Sequence, residues 1–377
     1  MILGIEASNI RAGGGVTHLK ELLAAFKKNE TKFTSIIVWS GAKTLNQLED
    51  KSWLDKQTHP YLDKNIFFRL FWQVFLADRT FKKSRIDVLF IPGSLYFTSF
   101  EPLVTMSHNM LPFSPKERDR FGKFYMRYRY HLLEKKHGKA FKTANGVIFL
   151  SHFAKGAITK HLNSKIKNST VIAHGVSPEL IKAPRVQKSI SEYSEQDPFE
   201  FLYVSIINVY KHQTTLVKVV YNLIQMGYPV KLTLVGPAYG PELKRLNKII
   251  HQLDPENKFV DYIGNVPHDK INSTYHSADA FIFASTVENL PNILIEAMAS
   301  GLPIACSNYG PMPEVLQDAG IYFDPENEEE ITISLKKLLD NHDQRQTLAT
   351  KAFNLSKDYS WERCARETFD YLSSFSK

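Results

Sequence analysis

Two glutamates in the last third of the chain flank a stretch that could bind an anion. Glu288 follows the apolar run 280–284 in a polar turn, and Glu296 lies in a helix that Pro291 is expected to open and Gly301 to end. A helix start presents unpaired backbone N–H groups and the positive end of its dipole, which both favour phosphate. Ionised carboxylates only accept hydrogen bonds, so these two would face hydroxyl groups. Phosphate flanked by polyols describes a nucleotide sugar.

The residues around the two glutamates also carry a family resemblance. Seven residues separate Glu288 from Glu296, and Ala-Met-Ala-Ser-Gly-Leu-Pro-Ile follows at 297–304. This string resembles the E-x7-E signature of the retaining glycosyltransferases of family 4, which have the GT-B fold. The resemblance implies an α/β protein with two Rossmann-like parallel-sheet domains that face each other across a cleft. The alternative is an ordinary α/β unit with two solvated acids.

Length and composition fit such a two-domain protein. The 377 residues exceed one typical core and indicate two domains of about 180 residues each. The sequence has no apolar run near the ~18–20 residues that cross a bilayer and no signal-peptide pattern at its start. We therefore expect a cytoplasmic protein, with a peripheral position on the inner face of the cell membrane as a further expectation. Cys306 and Cys364 lack metal-ligand spacing and are expected to be buried thiols.

Apolar strand-like runs alternate with helical or polar segments along the chain, which is typical of parallel sheets covered by helices. Residues 1–180 are expected to form an N-terminal Rossmann-like domain and residues 181–198 a polar linker. Residues 199–356 are expected to form the second Rossmann-like domain. The resemblance implies that the first domain binds the acceptor and the second binds the donor. It also implies that residues 357–377 form a helix that crosses back to the first domain.

Two features of the first domain could contact ligand. A glycine run that includes Gly14 and Gly15 follows the first strand and precedes a helix expected near Val16, so a ligand could approach the backbone there. The run is not a dinucleotide G-x-G-x-x-G motif, and a flexible loop explains it equally well. His108 follows the strand 103–106, where ligands of parallel sheets gather. The resemblance implies that the glycines lie against the donor phosphate and that His108 lies against the transferred sugar; alternatively, His108 is a structural hydrogen-bonder.

The first strand of the second domain leads to Lys211, which could neutralise a diphosphate leaving group. The family usually carries Gly-Arg five or six residues before this lysine. This chain has Ser205 and Ile206 there. We therefore expect Lys211, a helix dipole and either His212 or a basic residue from elsewhere to supply the positive charge.

The remaining donor contacts come from the resemblance. The loop that contains Asn265 and Val266 resembles one whose backbone lies near the nucleotide base, and such contacts leave the base itself open. Glu288 would bind sugar hydroxyls near the reacting carbon, and Glu296 would bind the ribose. The expected catalytic residues are His108, Lys211 and Glu288. The expected donor-binding residues are Gly14, Gly15, Lys211, Asn265, Val266, Glu288, Asn289, Leu290, Pro291, Asn292, Ile293 and Glu296.

No metal or other cofactor is expected. The other large glycosyltransferase fold holds a divalent ion with an Asp-x-Asp pair, and this sequence contains no such tripeptide. A helix dipole and Lys211 would balance the diphosphate charge instead. We therefore expect metal-independent transfer with a nucleotide-diphosphate sugar as co-substrate.

Positive charge is concentrated in one segment. The chain has a net charge of +8, and residues 114–142 alone carry +7. Read as one helix, the segment places aromatic and apolar side chains on one face and basic side chains on a neighbouring stripe: Phe121, Phe124, Tyr125, Tyr128 and Leu132, and Lys116, Arg120, Lys123 and Arg127. The region from Lys116 to Lys142 could lie on an anionic membrane surface, or its aromatic face could pack into the core. Nucleic acid is not expected, because no binding motif accompanies the charge.

Together these features predict a retaining glycosyltransferase. It would move a hexose-type sugar from a nucleotide-diphosphate sugar to a hydroxyl of a growing, lipid-linked bacterial surface glycan, such as lipopolysaccharide O-antigen, core or capsule. The alternatives are a non-catalytic nucleotide-sugar-binding protein, which the missing arginine would favour, and a sugar-nucleotide epimerase on the same fold. The sequence leaves open the sugar, the acceptor linkage and the oligomeric state.

Overall fold

Two parallel sheets organise the chain, one in each of two units. The computed structural model describes residues 1–122, 124–267 and 270–376, without the side chain of Phe124. Unit 1 comprises residues 1–113, 123–175 and 360–377. Unit 2 comprises residues 114–122 and 176–359.

The sheet of unit 1 has seven strands, and every pairing in it is parallel. Its spatial order is β3-β2-β1-β4-β5-β6-β7. The strands are β1 (Ile2–Glu6), β2 (Ser35–Trp39), β3 (Leu54–Gln57), β4 (Val88–Ile91), β5 (Leu103–Met106), β6 (Gly146–Phe149) and β7 (Ser169–Val171). The strands β4, β5 and β6 are buried along their whole length, as expected where helices cover both faces of a parallel sheet.

The sheet of unit 2 has six strands, again paired only in parallel. Its spatial order is β10-β9-β8-β11-β12-β13. The strands are β8 (Phe199–Val204), β9 (Val230–Val235), β10 (Val260–Gly264), β11 (Ala280–Phe283), β12 (Ile304–Ser307) and β13 (Ile321–Phe323). The predicted α/β class with two parallel sheets is therefore confirmed.

Helices connect the strands of both units. In chain order they are α1 (Gly14–Ala24), α2 (Ala42–Leu45), α3 (Pro60–Asp63), α4 (Ile66–Phe71), α5 (Ala77–Lys83), α6 (Pro115–Asp119), α7 (Phe124–Thr143), α8 (His152–His161), α9 (Gln213–Gln225), α10 (Gly240–Leu253), α11 (Ile271–Ser277), α12 (Asn292–Ala299), α13 (Met312–Leu316), α14 (Glu328–Asp340), α15 (His342–Ser356) and α16 (Trp361–Ser373). A π-helical turn, Trp72–Leu76, joins α4 to α5. In the part of the chain that the structure describes, none of these helices combines the length and hydropathy that a membrane span requires.

Each sheet has one point where the strand order reverses. In unit 1 the chain runs outward from β1 to β3 and then returns to place β4 on the other side of β1. In unit 2 the same reversal places β11 beside β8. Ligands of open α/β sheets bind outside the carboxyl ends of the strands at such points. The fold therefore provides one candidate ligand site in each unit.

Two helix starts differ from the predicted ones by one or two residues. The helix α1 begins at Gly14 rather than near Val16, because Gly13 adopts a left-handed φ of 67° just before it and Gly14 already takes helical geometry. Pro291 occupies the position before α12 rather than its first turn, and the helix ends at Ala299. Gly301 follows with a φ of 70°, which stops the helix as predicted.

The basic segment is not one helix, contrary to the sequence interpretation. The chain breaks at Gly122, whose φ is 63°, so α6 groups with unit 2 and α7 with unit 1. Phe121 is buried in unit 2 against Tyr210 and Tyr239. Glycine tolerates this backbone, whereas a helical pattern of charges cannot reveal the break. Lys123 and the side chain of Phe124 lie outside the described residues.

Close backbone packing ties α16 to the rest of unit 1. A Cβ atom on Gly175 would lie 2.2 Å from the backbone nitrogen of Trp361, the first residue of α16. Further along the helix, the ring of Phe369 packs 4.8 Å from that of Phe26. The helix therefore requires glycine at position 175, because backbone atoms cannot move aside as a flexible side chain can.

We predict that Gly175→Ala lowers the free energy of unfolding by about 2 kcal/mol or more, since it forces a methyl group against fixed backbone. Gly156→Ala is the matched control, because nothing lies within 4 Å of the added methyl group in α8. There the substitution should stabilise the protein by about 0.5–1 kcal/mol through helix propensity. Urea unfolding of both variants measures the difference, and equal effects would contradict this account of α16.

Candidate functional site

In unit 2 the reversal between β8 and β11 brings Lys211 and Glu288 together. The turn after β8 carries Lys211 and the loop after β11 carries Glu288, and the lysine Nζ donates a hydrogen bond to the carboxylate. Lys211 is only 5% exposed. Its ammonium also lies 5.1 Å from the centre of the Phe283 ring. A charge so deeply buried requires a partner, and Glu288 supplies it.

The local backbone fixes the position of Lys211. Its carbonyl accepts a hydrogen bond of 2.9 Å from the buried Tyr203 hydroxyl. His212 follows with a left-handed φ of 54° and precedes α9. The turn between β8 and α9 is thus held from both sides, so the ammonium points to one place rather than sampling many.

The start of α12 lies a few residues beyond Glu288. No side chain caps this helix, and its first turn contains no acid, so the positive end of its dipole is not neutralised there. The Asn292 N–H donates a hydrogen bond of 3.0 Å to the Leu290 carbonyl. Asn289 and Ile293 belong to the same segment between Glu288 and α12. The helix start predicted as a phosphate contact therefore follows Glu288 closely along the chain, and the amides of Asn292 and Leu294 are already hydrogen-bonded there.

A buried tyrosine orients Glu296. The Tyr275 hydroxyl donates a hydrogen bond of 2.8 Å to Oε2 of Glu296 and also lies 3.4 Å from the Ile293 carbonyl. Burial, and then the charge of Glu296, raise the pKa of Tyr275 well above its ordinary value. The tyrosine therefore stays a donor, and it holds one carboxylate oxygen in place.

The loop predicted to lie near the base follows β10. Asn265 is exposed and Val266 is half-buried. Just before them, the Gly264 carbonyl accepts a hydrogen bond of 2.7 Å from the Gly236 N–H. In the sheet order β9 lies between β10 and β8, and β9 and β8 lie between β10 and β11, so this loop is not expected to contact Lys211 or Glu288 without a ligand that spans these strands.

The sequence placed the segment 114–122 in a basic helix and did not reveal that it contacts the turn after β8 and the loop after β11. Glu117 is 4% exposed and accepts hydrogen bonds of 2.7 Å from the Thr286 hydroxyl and from Nε of Arg120. Thr286 precedes Glu288 by two residues, so this contact braces the loop after β11 that carries Glu288. One sequence signal could have revealed this element. Pro115 and Gly122 lie near its two ends, and proline and glycine commonly mark the boundaries of helices.

Arg120 and Lys116 also donate hydrogen bonds to Glu326. Burial alone would raise the pKa of Glu326, but these two hydrogen bonds lower it to about 2. Glu117 and Glu326 thus offset the two cations in the absence of a ligand. Arg120 is the basic residue from a distant part of the sequence that reaches this side of unit 2.

His212 does not supply positive charge at neutral pH. Burial, and then the charge of Arg120, lower its pKa to about 4. Its Nε2 is buried and has no hydrogen-bond partner among the described residues. At neutral pH a neutral His212 would not replace the missing arginine.

In unit 1 the glycine run and the end of β1 lie at the other reversal point. Side chains on Gly13 and Gly14 would meet nothing within 4 Å, and Gly15 would touch only Ile10. The helix α1 has no side-chain cap and no acid in its first turn. Packing therefore does not demand these glycines, apart from the left-handed φ of Gly13, and they leave the helix start open.

His108 lies in a cluster of three imidazoles. Its ring is 5.3 Å from that of His18 in α1 and 5.4 Å from that of His174. The His18 and His174 rings stack at 4.4 Å, and Trp361 lies 5.6 Å beyond His174. Burial lowers the pKa of His108 to about 4 and that of His18 well below its ordinary value. The imidazoles of His18 and His108 are therefore uncharged at neutral pH.

The ring nitrogens of His18, His108 and His174 lie within 4.8 Å of one another, a spacing at which the three side chains could hold a metal ion. The His18 and His174 rings stack with their planes 27° apart. The cluster packs α1 against the end of β5.

We predict that the protein loses stability as the pH falls from about 6.5 towards 4. His18, His108, His137 and His212 have lowered pKa values when folded, so the unfolded chain binds protons first. Each contributes a loss of about 1.4 kcal/mol per pH unit in this range. His18→Gln should reduce the slope by one proton, whereas the exposed His342→Gln should not. Urea unfolding at several pH values measures the slope, and identical slopes in both variants would contradict the assignment.

Two family models match the chain, one in each half. Residues 12–180 match "Glycosyltransferase Family 4", and residues 186–355 match "Glycosyl transferases group 1". Each half of the chain is therefore similar to a glycosyltransferase domain. The two parallel sheets match the GT-B fold of solved glycosyltransferase structures.

Curated relatives agree with this class. The chain is 23% identical over 273 residues to the O-antigen chain mannosyltransferase B of Escherichia coli. The match covers 72% of this chain and 70% of that protein. It is 25% identical over 230 residues to an uncharacterized glycosyltransferase of Methanocaldococcus jannaschii, 59% of this chain and 58% of that protein. An uncharacterized Haemophilus influenzae glycosyltransferase is 30% identical over 163 residues, 42% of this chain and 44% of that protein.

Solved structures share the fold over nearly the whole chain. HepE of Anabaena in complex with UDP-glucose superposes with a TM-score of 0.74 at 18% identity, covering 99% of this chain and 100% of that one. WaaG, a glycosyltransferase involved in lipopolysaccharide biosynthesis, gives a TM-score of 0.71 at 12% identity with the same coverage. At these identities the likeness concerns the fold alone.

Proposed function

We propose that the chain is a retaining glycosyltransferase that moves a hexose-type sugar from a nucleotide-diphosphate sugar to a hydroxyl of a growing, lipid-linked bacterial surface glycan. The observation that carries this proposal is the buried Lys211–Glu288 pair beside the start of α12. The names of the relatives support the donor and the product class: HepE binds UDP-glucose, and the E. coli relative is an O-antigen mannosyltransferase.

The ion pair explains how the donor would bind. A diphosphate near the helix start competes with Glu288 for the Lys211 ammonium, because charge-assisted hydrogen bonds to phosphate are strong. Once released, the Glu288 carboxylate accepts hydrogen bonds from sugar hydroxyls next to the reacting carbon. One binding event therefore positions both the leaving group and the sugar. Glu296 binds the ribose, and the loop of Asn265 and Val266 lies against the base.

Arg120 provides the second positive charge in this proposal. It lies one residue before Phe121, which packs on Tyr210, the neighbour of Lys211. In the absence of a ligand, Arg120 is shared between Glu117 and Glu326. A diphosphate would draw it away from Glu326, and Glu117 would keep it near the loop after β11. This arrangement would replace the arginine that the family carries where this chain has Ser205 and Ile206.

Retention follows if the acceptor hydroxyl attacks on the face from which the diphosphate leaves. The leaving phosphate then acts as the base, and no protein nucleophile is required. The positively charged transition state and the developing phosphate charge are stabilised by preorganised groups, here Lys211, Arg120 and the α12 dipole. The neutral His108 orients a sugar hydroxyl, since its uncharged ring can donate one hydrogen bond and accept another. We propose that no metal ion takes part.

We further propose that the protein works on the cytoplasmic face of the cell membrane. The helix α7 supports this with exposed aromatic side chains: Tyr125 is 73% exposed and Tyr128 is 54% exposed. Basic residues such as Lys135 and Lys139 lie exposed on the same helix. Aromatic and basic side chains together suit the headgroup region of an anionic bilayer.

The function is tested by nucleoside diphosphate release from UDP-glucose, UDP-N-acetylglucosamine and GDP-mannose, with and without lipid-linked acceptors and with EDTA. Release should require acceptor and persist in EDTA. Lys211→Ala and Glu288→Gln should each lower kcat about 100-fold, the effect of removing a preorganised charge. Lys218→Ala, which breaks the exposed pair with Glu328, is the control and should retain full activity. A donor that binds without release, or conversion of donor without acceptor, would contradict the proposal.

The role of Arg120 makes a separate prediction. Arg120→Gln should raise the KM for the donor about 10-fold and lower kcat, and Arg120→Lys should recover part of both, because lysine keeps the charge but loses the fork geometry. Arg245→Gln is the matched control, since Arg245 also pairs with a buried glutamate three residues away. Steady-state kinetics with varied donor measure these values. A pure loss of thermal stability, without a change in donor KM, would assign Arg120 a structural role only.

A further inference from the structure

Three imidazoles of unit 1 lie together beside the carboxyl ends of its strands. His108 follows β5 by two residues, His174 follows β7 by three, and His18 lies in the second turn of α1. All three belong to unit 1, and their ring nitrogens lie within 4.8 Å of one another. The fold thus gathers three side chains from distant parts of the chain, each able to offer one nitrogen to a metal ion.

The surroundings of His18 do not account for an imidazole at its position. The side chain is 0% exposed, and the other buried residues of α1 are Val16, Leu19, Leu22 and Leu23. Neither ring nitrogen of His18 has a hydrogen-bond partner among the described residues. Buried polar atoms are normally bonded, and an unbonded one indicates a bound water molecule or ion, or a cost that the fold must bear.

His108 gives the cluster an opening towards solvent. It is half-buried, whereas His18 and His174 are buried. Its Nε2 is nevertheless buried, and this atom has no hydrogen-bond partner within residues 1–122, 124–267 and 270–376. A metal site requires a path by which the ion enters. The partly exposed ring of His108 provides that path, and two of the three rings carry unbonded nitrogens inside the cluster.

The ligand atoms select the kind of ion. Imidazole nitrogen suits zinc, whereas magnesium and calcium require oxygen ligands. Nitrogens on one tetrahedral zinc ion are about 3.4 Å apart, so those of the cluster must approach by no more than about 1.4 Å. The stacked rings of His18 and His174 must also turn, so that their lone pairs converge. The χ2 torsion of histidine is broad, which allows such a turn at low cost.

We propose that His18, His108 and His174 bind one zinc ion, with a water molecule as the fourth ligand. The ion connects α1 to the ends of β5 and β7. Zinc on His108 withdraws this ring from the sugar hydroxyl that it orients in the transfer, so zinc inhibits the enzyme. This consequence rests on the proposed function, whereas zinc binding itself does not. The ion is an inhibitor and takes no part in the transfer.

Zinc titration of the untagged, full-length protein by calorimetry tests the site, with Co²⁺ as a spectroscopic probe. One Zn²⁺ should bind per chain, and Co²⁺ should give the intense visible bands of a tetrahedral site that Zn²⁺ abolishes and Mg²⁺ does not. His18→Gln and His108→Gln should each weaken zinc binding about 100-fold, because each removes one of three protein ligands. Circular dichroism checks the fold of both variants. The half-buried His108 decides the test if the His18 variant does not fold.

Two control variants should bind zinc like the unmodified protein. His137→Gln removes another buried histidine whose Nδ1 has no hydrogen-bond partner among the residues described, but it lies outside the cluster. The double variant His131→Gln/His161→Gln removes a competing site at the surface. There Nδ1 of His131 and Nε2 of His161 lie 3.6 Å and 2.8 Å from the two carboxylate oxygens of Glu134.

The controls also define the outcomes that overturn the inference. Zinc binding that is lost in the surface double variant and kept in His108→Gln would place the ion at Glu134 instead. No binding at micromolar zinc would leave the imidazoles with a packing role only. Zinc should lower nucleoside diphosphate release, and EDTA should restore it; undiminished release with zinc bound would refute inhibition. A protein that binds zinc at the cluster but never releases nucleoside diphosphate fails only the proposed function.

Discussion

The burial of a single ammonium group constrains the whole donor side of this protein. Lys211 can remain charged in its apolar surroundings only because Glu288 lies against it, and the two residues are 77 positions apart in the chain. Both depend on adjacent parallel strands, β8 and β11, that end side by side. The two charges balance each other, so Glu288 offsets the cost of burying the Lys211 ammonium.

The same logic extends to the segment 114–122. Lys116 and Arg120 both pair with Glu326. Glu117 accepts a hydrogen bond from Thr286 in the loop after β11. The segment 114–122 belongs to unit 2, although the residues before and after it belong to unit 1, and it braces a loop of its own unit. The ion pairs with Glu117 and Glu326 hold Arg120 in a defined position.

In unit 1 the clustered polar side chains at the end of β5 are imidazoles rather than an ion pair. The imidazoles of His18 and His108 are uncharged at neutral pH because burial disfavours their protonated forms and lowers their pKa values. They support the end of β5 without attracting an anion. The cations of unit 1 instead lie on α7, beside an apolar cavity. Charge is therefore buried beside a carboxylate in unit 2 and lies at the edge of an apolar cavity in unit 1.

The sequence by itself determined the α/β class, the buried strands and the helix that follows Glu288, since periodicity, proline and glycine are local signals. An edge strand such as β3 carries no such signal, because Leu-Asp-Lys-Gln has no apolar run. The sequence interpretation joined α6 to α7, because a charge pattern cannot show that Gly122 turns the chain. Only the tertiary structure decided that Lys211 meets Glu288, that Arg120 reaches unit 2 and that Glu6 lines a cavity. Those contacts join residues far apart in the chain, and their partners are chosen by strand order and burial, which no local pattern encodes.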